Sequence, residues 1–146
     1  MTVVAIHLGP HPAGELLPVE TVRAVAGKGL EGDRHFHCDG AEPGVALTLV
    51  DEKEVTAVGL TAGATRRQLT VRGVDLKALI GKRFRVGPVE CYGVRLCEPC
   101  LHLQKMTRPG ILRELVHRAG INADILTTGH ISLGDPVIRL SDGETQ

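Results

Sequence analysis

The chain has 146 residues, enough for one domain with a sizeable core. Its composition, 42% hydrophobic and 23% charged, sets it apart from disordered chains. Seventeen basic residues balance seventeen acidic ones, so no basic surplus exists to hold nucleic acid or an anionic membrane.

Aromatic residues are scarce, with no Trp, one Tyr and two Phe, which removes the stacking platforms of single-strand nucleic-acid binders. No apolar stretch reaches the roughly 18 residues of a membrane span. His7, Pro10 and His11 interrupt the N-terminal apolar run, and no basic start precedes it, so it does not read as a signal peptide. These features predict a cytoplasmic protein. There Cys38, Cys91, Cys97 and Cys100 stay reduced, available as metal ligands or nucleophiles.

In chain order, residues 3–8 read as a strand, and so do 21–26, where Val22 and Val25 alternate with polar neighbours. Residues 45–50 form a short apolar run that suits a buried strand. It leads into Asp51-Glu52-Lys53-Glu54, where Asp51 can cap a helix and Glu54 can answer it three residues on; Gly59 ends that helix. Strands follow over 68–71, 83–86, 89–96, 125–128 and 137–140, with a short helical turn over 76–79 starting from Asp75. The clearest helix is 111–119, with Pro109 at its entrance, an apolar stripe of Leu112, Leu115 and Val116, and Gly120 at its close. About eight short strands with a few helices, and no regular βαβ alternation, predict a mainly β fold. The expected architecture is a closed or partly closed β-barrel in a single domain spanning 1–146.

Four segments concentrate reactive side chains. Gly29-Leu30-Glu31-Gly32-Asp33-Arg34-His35 combines two glycines, which let the backbone approach a ligand, with an acceptor, a cationic fork and an imidazole. An Arg beside exposed amides suits a phosphate or another anion, and a turn with a local Asp–Arg pair fits equally well. In Thr65-Arg66-Arg67-Gln68, strand alternation would put Arg66 and Gln68 on one face toward a ligand and leave Arg67 solvated, and two surface arginines fit equally well. Cys97-Glu98-Pro99-Cys100, followed by His102, suits zinc or redox chemistry, yet the βαβ setting of a thiol redox motif is missing. A structural zinc would draw on Cys97 and Cys100 with two of His35, His37, Cys38 or His102. Two inert buried thiols are the third option. Finally, Gly134-Asp135-Pro136 reads as a structural hairpin connection into the last strand.

Taken in order and with their separations, these segments resemble the MOSC domain, named for the C-terminal domain of molybdenum-cofactor sulfurase. The resemblance is carried by Gly29 to His35, Leu47-Thr48-Leu49-Val50, Thr65-Arg66-Arg67-Gln68-Leu69-Thr70-Val71 and Gly73-Val74-Asp75-Leu76. Leu79-Ile80-Gly81 with Phe84 and Gly87, then Cys97-Glu98-Pro99-Cys100, and Gly129-His130-Ile131-Ser132-Leu133-Gly134-Asp135 complete it. It covers residues 3–140. The chain is similar to a stand-alone small bacterial-type member, without the N-terminal barrel half of the amidoxime reducers or the C-terminal helical extension of some bacterial relatives. Members often have Asn where this chain has Gln68.

The resemblance implies a β-barrel that binds molybdenum cofactor or handles sulfur through one cysteine, matched here by Cys100. As a molybdenum-dependent oxidoreductase, the protein would act on N-hydroxylated or N-oxygenated small molecules, with the Cys100 thiolate as catalytic metal ligand. Arg34 and Arg66 would anchor the anionic cofactor, while Asp33 and His35 orient Arg34 or relay protons. Gln68, Cys97, Glu98 and Pro99 would complete the cofactor contacts, and a redox partner protein would supply electrons. Two alternatives stand beside this expectation. One is a sulfur carrier with a persulfide on Cys100, served by a sulfur-donor protein; the other is a non-enzymatic domain stabilised by zinc.

Overall fold

The computed structural model describes residues 1–10, 16–34, 36–40, 44–97, 110 and 120–140. The helix expected over 111–119 lies outside the described residues. The strands are β1 (Thr2–Leu8), β2 (Leu17–Val19), β3 (Thr21–Val25), β4 (Gly29–Leu30), β5 (Leu47–Asp51), β6 (Leu69–Arg72), β7 (Arg83–Val86), β8 (Val89–Leu96), β9 (Ile121–Ile125), β10 (Gly129–Ser132) and β11 (Val137–Arg139). Helix α1 spans Glu52–Ala57, and single 3-10 turns occupy Ala62–Thr65 and Leu76–Leu79. No helix among the described residues is long and apolar enough to cross a membrane.

Eight strands form one sheet in the order β11-β7-β8-β9-β5-β6-β1-β2, and β10-β3-β4 form a second. Neighbours run antiparallel except β5 and β6, which are parallel and joined by the crossover through α1. The large sheet curls until its far edge meets its beginning. Val3 N–H donates to Asp135 O at 2.9 Å, Gly134 N–H to Val3 O at 2.8 Å and Val137 N–H to Met1 O at 2.9 Å. This seam makes the fold a partly closed barrel, as the composition and the run of short strands led us to expect.

Period-two alternation explains which side chains fill it. In β9, Ile121, Ala123 and Ile125 are buried while Asn122 and Asp124 are partly exposed, and in β7 Phe84 and Val86 alternate with exposed Arg83 and Arg85. Leu47, Leu49, Leu69, Val71, Phe84 and Ile121 meet in one aliphatic core. Scarce aromatics are no handicap here, because branched aliphatics pack a narrow barrel interior well. Outside the barrel, α1 begins as its sequence predicts: an Asp51 carboxylate oxygen accepts the Lys53 N–H at 2.9 Å. Val55 and Val58 bury the helix's apolar side. The 76–79 turn also forms where expected, although Asp75 makes no side-chain cap.

Two expectations fail, each for a physical reason. The strand placed at 125–128 is instead the link between β9 and β10, with only Ile125 inside a strand. Between them Thr127 and Thr128 turn the chain from one sheet to the other, their hydroxyls accepting the N–H groups of Glu90 at 2.8 Å and Ala26 at 3.0 Å. Gly134-Asp135-Pro136 is structural, yet it closes no hairpin, since β10 lies in the small sheet and β11 in the large one. It is a corner, pinned by the Ser132 N–H donating to Asp135 Oδ2 at 2.8 Å. The short strands β2 and β4, of three and two residues, carry too little pattern to be read from sequence.

One glycine is demanded by packing. Gly93 in β8 donates to Lys82 O at 3.0 Å and accepts from Gly81 N–H at 2.8 Å, and a methyl group there would collide with the Leu79 carbonyl. Gly93→Ala should therefore lower stability by about 2–3 kcal/mol, read from the urea midpoint at unchanged m-value. A loss below about 0.5 kcal/mol would show that the 79–82 turn yields freely.

Candidate functional site

Because β5 and β6 are parallel, their first residues lie at one end of the barrel, beside the last residues of antiparallel β1. Gln68, just ahead of β6, ties these segments together. Its Oε1 accepts the Thr48 N–H at 2.9 Å and its own N–H donates to Thr48 Oγ1 at 2.9 Å. Its carbonyl accepts the His7 N–H at 2.8 Å. Its Nε2 donates to Asp33 Oδ2 at 2.8 Å. A carboxylate only accepts and a backbone N–H only donates, so these partners fix the orientation of the amide.

Asp33 is only 7% exposed. It stands just beyond β4, where Gly32 takes a φ of 90° that a side chain would resist. Besides the Gln68 amide, the Asp33 carboxylate accepts the Gly9 N–H at 2.7 Å through Oδ1. Charge-assisted bonds of this kind are what make a buried carboxylate tolerable. Arg34 follows on the same turn: its N–H donates to Gly9 O at 2.9 Å, and its Nη1 lies 3.5 Å from the same carbonyl. A side chain at Gly9 would have to displace the Arg34 guanidinium and the tip of Leu16.

The strand-face expectation for Arg66, Arg67 and Gln68 is overturned. Strand β6 begins only at Leu69, and the 62–65 turn ends with Arg66 in the left-handed region at φ 61°, ψ 22°. Among the described residues Arg66 is the one non-glycine with positive φ. Alternation does not apply to such a segment. Arg67, expected in solvent, is 8% exposed and donates through Nη2 to Cys97 O at 3.2 Å. Cys97 in turn donates its N–H to Gly120 O at 2.8 Å, so the chain at the foot of β8 is held from two sides.

Glu98, Pro99, Cys100, His35 and His102 lie outside the described residues. Among the described ones, no group of three or more His, Cys, Asp or Glu is placed to hold a metal ion. The described thiols differ sharply: Cys38 is exposed, Cys97 half-buried, and Cys91 is sealed in the core, where burial drives its pKa far above the ordinary thiol range. Cys91 is therefore inert. A groove of about 600 Å³ lies toward the other end of β5, bordered by Asp51, Lys53, Asp75, Lys77, Leu96 and Gly120. None of Asp33, Arg34, Arg66 and Gln68 lines it, whereas Leu96 and Gly120, the neighbours of Cys97, do.

The structure thus brings Asp33, Arg34 and Gln68 together and links Arg67 to Cys97. It also recruits residues the sequence reading passed over, namely Gly9, Thr48 and His7. Thr48 had a signal, being the lone polar residue in the apolar run 45–50. His7 had less: its half-buried ring packs against Gly63, and its Nδ1 is buried without a hydrogen-bond partner. Burial holds its pKa below the usual imidazole value.

A family model described as MOSC domain matches residues 34–138. A comparison with curated proteins finds no match. Among solved structures, the chain is similar to the YuaD protein from Bacillus subtilis, with TM-score 0.76, 17% identity and 94% of each chain covered. It is also similar to YiiM from Geobacillus stearothermophilus, with TM-score 0.76, 17% identity, and 99% of this chain and 77% of that chain covered. YiiM from Escherichia coli gives TM-score 0.70 and 17% identity, covering 97% of this chain and 70% of that one. At such identities the likeness is one of fold.

Two outcomes follow for the network. Gln68→Leu removes one donor to a buried carboxylate and the side-chain acceptor of the Thr48 N–H, and should cost about 2–3 kcal/mol in chemical denaturation. A loss under about 1 kcal/mol would mean that Asp33 needs no Gln68. For His7, the unfolded chain takes up a proton near pH 6.5, before the folded one does, so folded stability falls as pH drops below that value. The wild type should therefore lose stability relative to His7→Gln between pH 7.5 and 5. Parallel stability curves would contradict a desolvated His7.

Proposed function

The chain belongs to the MOSC domain family, and from that premise we propose that it binds molybdenum cofactor and serves as an oxidoreductase of N-hydroxylated small molecules. The Cys100 thiolate is the metal ligand in this reading. The observation that carries it is the Arg67–Cys97 contact, which ties the segment leading to Cys100 to the loop that bears Arg66.

The donor set suits the group. The cofactor is anionic through its phosphate, and three guanidinium groups, on Arg34, Arg66 and Arg67, belong to the segments joined at this end of the barrel. Arg67 is occupied with the Cys97 carbonyl and serves to hold that chain. Arg34 and Arg66 are the anchors, since a guanidinium fork matches phosphate oxygens in pairs. Asp33 fixes the turn that presents Arg34, and Gln68 fixes Asp33. The soft thiolate of Cys100 is an apt ligand for molybdenum. When bound, the cofactor supplies two-electron oxygen-atom chemistry, and a partner protein delivers the electrons.

The test is elemental analysis of the protein purified from a host that makes molybdenum cofactor, beside Cys100→Ser. We expect close to one molybdenum per chain in the wild type and essentially none in the variant, with unfolding midpoints unchanged. Equal molybdenum in both would remove Cys100 from the role of ligand. Stoichiometric zinc would favour the zinc-stabilised domain, and a protein free of metal that gains one sulfur from a desulfurase would favour the persulfide carrier.

A further inference from the structure

We infer that His7 is a positioning residue for Arg66: its imidazole ring is the floor on which the 62–65 turn rests, and it sets the pose in which Arg66 meets the anion. This rests on the functional reading above, and it adds a residue that neither the family match nor the sequence motifs assign.

The case begins with Arg66 itself. A left-handed φ is uncommon for a side-chain-bearing residue and persists where the surroundings impose it. The Arg66 N–H donates to Gly63 O at 3.2 Å, so the geometry of Arg66 depends on where Gly63 sits. Gly63 sits on His7. A methyl group at Gly63 would lie 3.0 Å from Cδ2 and 3.1 Å from Nε2 of the ring, and the atoms nearest to it all belong to His7. From the other side, the His7 N–H donates to Gln68 O at 2.8 Å. One residue of β1 therefore grips both ends of the 63–68 loop, by its ring at Gly63 and by its backbone at Gln68. Arg66 and Arg67 lie between the two grips.

The ring serves by shape. Its Nδ1 is buried and makes no hydrogen bond, a state natural proteins rarely keep without cause. A neutral, half-desolvated imidazole can pack against a glycine without bringing a charge into a partly buried site. The lowered pKa of His7 agrees with that arrangement.

Because Gly63 lies outside the left-handed region, alanine is acceptable to its backbone, and the ring is what its methyl meets first. A size swap therefore isolates the contact. Gly63→Ala, His7→Ala and the double variant are made in the full chain from a host that supplies molybdenum cofactor. Each is examined by crystallography for the φ of Arg66 and by elemental analysis for molybdenum. Gly63→Ala should drive Arg66 out of the left-handed region and lower molybdenum content at least fivefold, with its far-ultraviolet circular dichroism unchanged. His7→Ala should lower it as well. The double variant, in which the new methyl fills the space left by the ring, should restore both the left-handed Arg66 and most of the metal.

Left-handed Arg66 and full metal in Gly63→Ala would overturn the positioning role, and so would a double variant no better than the product of the singles. A displaced Arg66 with undiminished metal would overturn it too. Wild-type protein without molybdenum would instead overturn the functional reading, and the role for the anion with it; the crystallographic arm would still decide whether His7 sets the Arg66 pose.

Discussion

The hydrogen bond between the Gln68 amide and the Asp33 carboxylate is the contact on which the arrangement of this end of the barrel depends. Strand pairing alone would order β1, β6 and β5, but it says nothing about the turn after β4, which belongs to the other sheet. The Asp33–Gln68 bond reaches across that gap at 2.8 Å. Asp33 then carries the order on to Gly9, and Arg34 to the same residue, so a two-residue strand is followed by a fixed loop. Charge-assisted bonds contribute roughly 1.5–3 kcal/mol each, enough to offset much of the desolvation of one carboxylate. An apolar pair in their place would leave the turn without a register.

The parallel pairing of β5 and β6 is the topological half of the same constraint. In a wholly antiparallel meander the heads of these two strands would lie at opposite ends, and Thr48 could not meet Gln68. The crossover through α1 avoids this, which is why a helix of six residues is retained in a mainly β chain. Its start is secured by Asp51, its underside by Val55 and Val58, and the following 3-10 turn delivers Arg66. Local helix chemistry, sheet topology and site geometry thus follow from one another in sequence order.

How much of this was legible beforehand depended on the kind of signal. Elements with full periods were read well: β7 and β8 match their expected limits, and the Asp51 cap acts as its residue type predicts. Residues 125–128 misled because Ile125 and two threonines look like strand, while the threonine hydroxyls in fact satisfy backbone groups at a change of sheet. Arg66, Arg67 and Gln68 misled for a related reason. Alternation holds only inside a ladder, and one left-handed residue reverses its predictions, burying the arginine expected in water. Asp33, Arg34 and Gln68 were recognisable as functional types. The bond between Asp33 and Gln68 was not, because it joins residues 35 apart and depends on tertiary contact alone.

The charge balance of the whole chain also conceals its local arrangement. Seventeen charges of each sign cancel, yet Arg34, Arg66 and Arg67 belong to segments brought to one barrel end, where Asp33 is occupied by amide donors. The Gly9 and Gln68 donors hold both oxygens of that carboxylate, one each. The guanidinium groups can then be directed elsewhere, Arg67 to the Cys97 carbonyl and Arg34 to the end of β1. The acid therefore fixes the turn that carries Arg34, while Arg67 fixes the chain at the foot of β8, so charges of opposite sign hold separate segments in place.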